Sequence, residues 1–255
     1  MNFDLHEALK ILRLPRTRKN WDELLADAAR LDLSHADFFR RLIADELAAR
    51  EENKLQRLLT SARFPYHKTF EEFDFRLRPE LQRRVFDSYL EDSFVRESRS
   101  LVFIGPPGLG KTHLSVAIGI RMVHRGYRVR FTTVQDYLNR YLAAESTAQW
   151  KRYRAPFRKA DLLVLDEFGY LAPDPHVAPL LYELISERYE KKATIITSNK
   201  SLTEWGKVLG DSSLASAIVD RTMHHGDVYY LSGESYRMRG KQRKTNLDKK
   251  GGDNT

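Results

Sequence analysis

The sequence predicts an α/β sandwich built on a parallel sheet, preceded by a small all-helical region. Three features predict it. From residue 100 onward, short apolar runs alternate with amphipathic stretches: SLVFIG, RVRFTTV, LLVLDE, TIITSN and VYYL. Each run is largely apolar or β-branched, as strands buried on both faces are. The segments between them are long enough for crossover helices, which join parallel strands. Finally, GPPGLGKT at 105–112 lies between the first run and the helix-like HLSVAIGIRMVHR, a strand–loop–helix unit.

Residues 1–66 are expected to be helical. Trp21, Leu24, Leu25 and Ala28 recur at i, i+3, i+4 and i+7, and Phe39, Leu42, Ile43 and Leu47 repeat the pattern. Asn20 and Ser34 stand where N-caps belong, and Pro65 ends the last helix. The short LDLS link allows either a DNA-reading helix-turn-helix or a simple helical hairpin. Residues 67–236 form the second domain. The stretch 237–255 is rich in Lys, Arg, Gly and Asn, cannot bury a core, and is expected to be a disordered basic tail.

Composition narrows the chemistry. With 43 Lys and Arg against 35 Asp and Glu, the net charge is +8, which favours an anionic partner such as nucleic acid. Cysteine is absent, excluding disulfides, thiol catalysis and cysteine-ligated metal. The eight histidines show no metal-ligand spacing. Asp4, Glu7 and Lys10 interrupt the N-terminal apolar pattern, unlike a signal peptide, and no apolar run approaches the roughly 18 residues of a membrane span. A soluble cytoplasmic protein with no membrane association is expected.

GPPGLGKT fits G-x-x-x-x-G-K-[ST], a loop that wraps phosphates. Gly105, Gly108 and Gly110 keep side chains out of the way, while Pro106, Pro107, Leu109 and His113 complete the loop and enter the helix. Lys111 offers a point charge to the β- and γ-phosphates, and Thr112 a hydroxyl for magnesium. LLVLDE places Asp166 at a strand end, suited to magnesium, and next to it Glu167, suited to polarising a water. A metabolite kinase must exclude that water, so the acidic pair favours hydrolysis. TIITSN brings Asn199 to the same edge, although Ser-Asn is also a common turn.

The order GPPGLGKTHL, LLVLDEFGYL, TIITSN and SAIVDR resembles AAA+ ATPases of the DnaA/DnaC branch. More closely, the chain resembles the IstB-like helper ATPases encoded beside the transposase in bacterial insertion sequences, through the lead-in ARFPYHKTFEEFDF as well. The resemblance implies a P-loop AAA+ fold with a five-stranded parallel sheet, and ATP with Mg2+ as cofactors. It also implies a homo-oligomer, a ring or helix on double-stranded DNA, that recruits the cognate transposase. A DnaC-like helicase loader is the alternative. By matching position, Lys111 and Thr112 are the Walker A pair, Asp166 and Glu167 the Walker B pair, and Asn199 the sensor. Arg221 stands where an arginine finger reaches the γ-phosphate held by a neighbouring subunit. Only about two dozen residues follow VYYL, so the C-terminal lid of typical AAA+ proteins is expected to be missing. Arg237 and Arg239 are candidates for the lid arginine.

Between the second and third runs, where this branch inserts a helix facing nucleic acid, Lys151, Arg152, Arg154, Arg158 and Lys159 have no acidic neighbours in sequence. They are the expected DNA contacts, of the phosphate-positioning kind that does not specify sequence. Trp150, Tyr153 and Phe157 on the same stretch are expected in the core rather than stacked on bases.

Overall fold

The computed structural model describes residues 4–170 and 176–236; Arg237, Arg239 and the tail 237–255 lie outside the described residues. The chain divides into two compact units, Met1–Arg57 and Leu58–Thr255. The boundary falls earlier than the residue 66 expected from Pro65. Residues 58–66 belong with the second unit because they pack on it. The Ser61 carbonyl accepts from Arg130 at 2.7 Å, and the Phe64 ring lies where a Cβ on Gly119 would meet it.

The first unit holds α1 (Leu5–Ile11), α2 (Pro15–Lys19), α3 (Trp21–Arg30) and most of α4 (His35–Ala62). Pro15 opens α2 with its φ already helical, but Leu14 before it provides no side-chain cap. The cap comes instead from α4: the Glu46 carboxylate, 2% exposed, accepts from the Arg16 and Thr17 amides at 3.0 and 3.1 Å. Ser34 caps α4 as expected, accepting from the Asp37 amide at 3.2 Å, whereas Asn20 occupies the cap of α3 without a side-chain bond. The two apolar stripes are only partly buried. Leu24 and Leu42 are inside, while Leu25, Phe39 and Leu47 stay exposed, because a unit this small cannot cover every apolar face.

In the second unit, α5 (Arg83–Asp87) and α6 (Asp92–Arg96) precede the sheet. Then follow β1 (Ser100–Ile104), α7 (Lys111–His124), β2 (Val129–Thr133), α8 (Val134–Leu142), α9 (Thr147–Lys159) and β3 (Leu162–Phe168). The chain continues through α10 (Val177–Arg188), β4 (Ala193–Ser198), α11 (Trp205–Leu209), α12 (Ser212–His224) and β5 (Gly226–Tyr230). All strand pairs are parallel, in the order β2-β3-β4-β1-β5. Each expected run is therefore a strand. The order sets the C-terminal ends of β3, β4 and β1 side by side, where open α/β sheets bind ligands. Residues of β1, β3 and β4 pack with α8, α9, α10 and α12, with Trp150 and Phe157 buried among them as expected.

Two polar devices hold the opposite, N-terminal ends of the strands. Arg188 is 2% exposed and donates to the Phe157, Ala160 and Ala193 carbonyls and to Thr194 Oγ1. Burial pushes its guanidinium down to about 9, yet each of its nitrogens has an acceptor. Asp161 takes hydrogen bonds from the Arg128 amide and guanidinium and from Lys192 Nζ at 2.7 Å. Burial alone would raise its carboxyl, but Arg128 and Lys192 hold it down at about 2. A carboxyl depressed below its unfolded value contributes stability above that value and loses it as pH falls through the folded one. Asp161→Asn is thus expected to cost on the order of 2 kcal/mol at neutral pH. It should also remove the part of the acid transition between the ordinary value of 3.8 and about 2, which urea melts across that window would show.

Candidate nucleotide-binding site

The loop after β1 has no regular structure of its own, and glycine allows its course. Gly110, at φ +96°, is the N-cap of α7, and a Cβ there would stand 2.6 Å from the Phe73 ring. Gly105 has φ +150° and passes the Leu231 carbonyl so closely that a Cβ would come within 2.3 Å of its oxygen. Leu109 is buried, and Arg78 ties its carbonyl to that of Glu234 through bonds of 3.2 and 2.8 Å. Pro106 and Pro107 are exposed at the rim. The loop ends on the amides of the first turn of α7, which carry the positive end of the helix dipole.

Lys111, 9% exposed, donates from Nζ to the Gly105 and Pro106 carbonyls at 2.6 and 2.8 Å. Its ammonium is thus held inside the arch of the loop. Thr112 Oγ1 donates to Asp166 Oδ1 and Oδ2 at 2.9 and 3.1 Å. His113 bonds the Thr69 carbonyl through Nε2 at 2.8 Å and meets Phe73 edge-on, so its ring fixes the lead-in segment to α7.

Asp166 and Glu167 sit at an irregularity in β3. Leu165 pairs with Ile196, but the next register pair is Phe168 with Ser198, so β3 carries one extra residue there. In this bulge Glu167 adopts φ +62°, a left-handed conformation that costs a non-glycine residue free energy. Thr197 stabilises it: its hydroxyl accepts from the Glu167 amide at 3.0 Å and donates to Asp166 Oδ1. The bulge separates the two carboxylates. Asp166 is 4% exposed, and burial pushes its carboxyl up, opposed by the Thr197 and Thr112 hydrogen bonds and the charge of Lys111. Glu167 is exposed to the cleft.

Asn199 follows β4 and lines the same cleft. Its Oδ1 is shielded and accepts no hydrogen bond among the described residues, and it lies 2.6 Å from where a Cβ on Gly169 would stand. The cleft measures about 390 Å³ and is walled by Tyr66, Lys68 and Phe73 of the lead-in and by Tyr236. That volume lies within the roughly 300–1,000 Å³ of small-molecule sites. The Thr112 hydroxyl and Asp166 carboxylate are the hard oxygen donors magnesium takes, and the orphaned Asn199 oxygen calls for a polar partner in the cleft. The residues fit a nucleoside triphosphate with its metal.

Loop, acidic pair and Asn199 thus converge, while the other candidates lie apart. Arg221, on α12, does not line the cleft. It donates to the Tyr182 hydroxyl at 3.0 Å and to the Ala217 carbonyl at 3.1 Å, with its guanidinium 4.8 Å from the Tyr182 ring centre. On α9 the cations divide. Arg154 is bound by Glu183 and Glu187 of α10 at 2.6 and 2.9 Å, and Arg158 by Glu187 at 2.8 Å. Arg154 is accordingly withdrawn from solvent, a correction to its expected place on a free basic face. Lys151, Arg152 and Lys159 remain exposed without an ion pair among the described residues. His224 and His225 are on the surface, each 3.4 Å from Glu190, a grouping that residue spacing did not announce.

Sequence reasoning missed Thr197, Phe73 and Arg78. Thr197 stands in TIITSN itself, two residues before Asn199, and was readable as a strand-end hydroxyl. The others act across distances no local pattern reveals.

The sequence profile of the IstB-like ATP binding proteins matches residues 7–244. The chain is 37% identical over 238 residues to the ATP-binding protein of insertion sequence IS5376 from Geobacillus stearothermophilus, covering 93% of this chain and 95% of that one. To the corresponding protein of insertion sequence IS21 from Pseudomonas aeruginosa it is 35% identical over 240 residues, 94% and 91% of the two. Among solved structures, AMPPCP-bound DnaA from Aquifex aeolicus aligns with a TM-score of 0.55 at 21% identity over 72% of this chain. This chain spans 56% of that DnaA chain, and the likeness is one of fold.

Proposed function

Because the chain belongs to the family of IstB-like ATP binding proteins, we propose that it is an ATP-dependent DNA-binding helper of a bacterial insertion-sequence transposase. ATP binding drives self-assembly on duplex target DNA, the assembly recruits the transposase, and hydrolysis releases it. The observation that carries this reading is the convergence of Lys111, Thr112, Asp166, Glu167 and Asn199 at three adjacent strand ends.

In this reading the loop amides and the glycine arch bind the triphosphate, and Lys111 exchanges its two carbonyl partners for phosphate oxygens. Thr112 and Asp166 would hold magnesium, which neutralises charge on the β- and γ-phosphates. Glu167 accepts the proton of the attacking water, and Asn199 orients that water through its unpaired oxygen or the γ-phosphate through its side-chain NH2. Arg221 completes the site of a neighbouring copy. A helicase loader would share every nucleotide residue, but the relatives that cover nearly the whole chain are insertion-sequence proteins.

Residues 1–57 are assigned to partner contact, chiefly the transposase. They form a compact unit of their own, with Phe39 and Leu47 exposed. Deleting them is expected to spare basal ATP hydrolysis and to abolish capture of the cognate transposase, on DNA with ATP. Capture at the full-chain level would remove the partner role from this unit. Failure of the full chain to capture it would count against the function as a whole.

A further inference from the structure

The two buried arginines of the sheet contrast. Arg188 has an acceptor for every guanidinium nitrogen. Arg130, on edge strand β2, is 8% exposed; among the described residues its side chain makes one hydrogen bond, to the Ser61 carbonyl, and leaves a shielded Nε with no acceptor. Its guanidinium lies 4.9 Å from the Phe157 ring centre, a contact that recovers part of the cost of burying a cation. None of its partners among the described residues is a carboxylate, and an uncompensated buried charge is costly.

Other positive charge gathers around it instead of negative. Burial, and after it the charge of Arg63, depress the Arg130 guanidinium. The Tyr153 hydroxyl is raised by burial and lies within electrostatic reach of Arg140, Arg130 and Arg63, with Asp136 the carboxylate acting on it. Arg140 lies 5.7 Å from the Tyr153 ring centre. Arg63 and Arg140 are exposed, and none of the three arginines forms an ion pair among the described residues. Next to Tyr153 on α9 stands the exposed, unpaired Arg152.

We propose that Arg63, Arg130 and Arg140, gathered around Tyr153, form a seat for backbone phosphates of duplex DNA. The inference deepens the DNA-binding reading above, and rests on it, by moving the centre of contact. Arg154 and Arg158 serve α10, and the phosphates are met on the face of α9 that turns to β2 and to the end of α4. Guanidinium groups suit the task because their planar forks pair with phosphate oxygens two at a time. Three like charges held together become favourable once an anion lies among them. The contacts read no bases, as a helper serving many targets requires.

The test is duplex binding by the full chain with ATP, followed by fluorescence anisotropy over a salt series on a random-sequence duplex. Arg63→Ala with Arg140→Ala changes two exposed side chains outside the nucleotide cleft, so basal ATP hydrolysis is expected to persist. Each neutralised phosphate contributes about −0.9 to the slope of log affinity against log salt, so the double variant should flatten the slope by about 1.8. Arg63→Lys with Arg140→Lys, which keeps the charge, should retain most of the slope. If the double alanine variant matches the unchanged chain in slope and affinity, the seat is refuted while DNA binding stands. If the unchanged chain binds no duplex, the seat falls together with the DNA-binding reading. If the variant loses self-association in sedimentation but keeps its salt slope, the anion is a carboxylate of a second copy, and the proposal is overturned.

Discussion

Glu167→Gln is expected to leave ATP bound and unhydrolysed, with turnover lower by about 10²–10⁴, the usual contribution of a positioned general base. The two acidic residues of β3 differ in their surroundings. Asp166 is buried, and its carboxylate oxygens accept from the Thr112 and Thr197 hydroxyls. Glu167 is tied through its backbone amide to Thr197, and its carboxylate opens on the cleft. Gln keeps the shape and the left-handed backbone but cannot accept a proton from water. Nucleotide affinity should therefore persist, and complexes with DNA should last longer because release follows hydrolysis. Single-turnover hydrolysis with a parallel nucleotide titration checks both halves. Hydrolysis within a few-fold of the unchanged chain would place the base elsewhere.

Arg221→Ala is expected to lower DNA-dependent hydrolysis by about 10³–10⁵, the range found for arginine fingers. In the single chain Arg221 rests on Tyr182 and lines no part of its own cleft. No carboxylate of the described residues holds it: Asp227 is bound to Arg99 at 2.6 Å and to the Tyr89 hydroxyl. The remaining structural role is its contact with Tyr182 and the Ala217 carbonyl, and mixing separates it from a finger. Lys111→Ala and Arg221→Ala chains should each be inactive alone. Together they should recover part of the activity, because some interfaces then combine an intact loop with an intact arginine. A dead mixture of chains that fold and co-assemble would leave Arg221 with its structural contacts to Tyr182 and Ala217.

What could be read from the sequence was local. The five strands follow from apolar runs, and the nucleotide loop, the acidic pair and Asn199 follow from residue types at strand ends. The bulge at Glu167 could not be read, since it is a property of the register between β3 and β4 rather than of either segment. The basic stretch of α9 misled for a similar reason. Arg154 and Arg158 have no acidic neighbour in sequence, but their partners Glu183 and Glu187 arrive from α10, about thirty positions away. The partners of Arg130 were hidden likewise: Ser61 comes from the end of α4, a segment assigned to the other domain. In the first unit, periodicity marked apolar faces correctly but could not say which would be covered. Phe39 and Leu47 show that a stripe can also be a surface.

The central claim is that nucleotide binding at this cleft drives assembly on DNA, and sedimentation velocity tests it most directly. The unchanged chain should form large complexes on long duplex DNA with ATP, or with Glu167→Gln and ATP, and remain small without nucleotide. Lys111→Ala should stay small throughout, because the loop then lacks its phosphate-binding charge. Equal assembly on DNA with and without nucleotide would contradict the account.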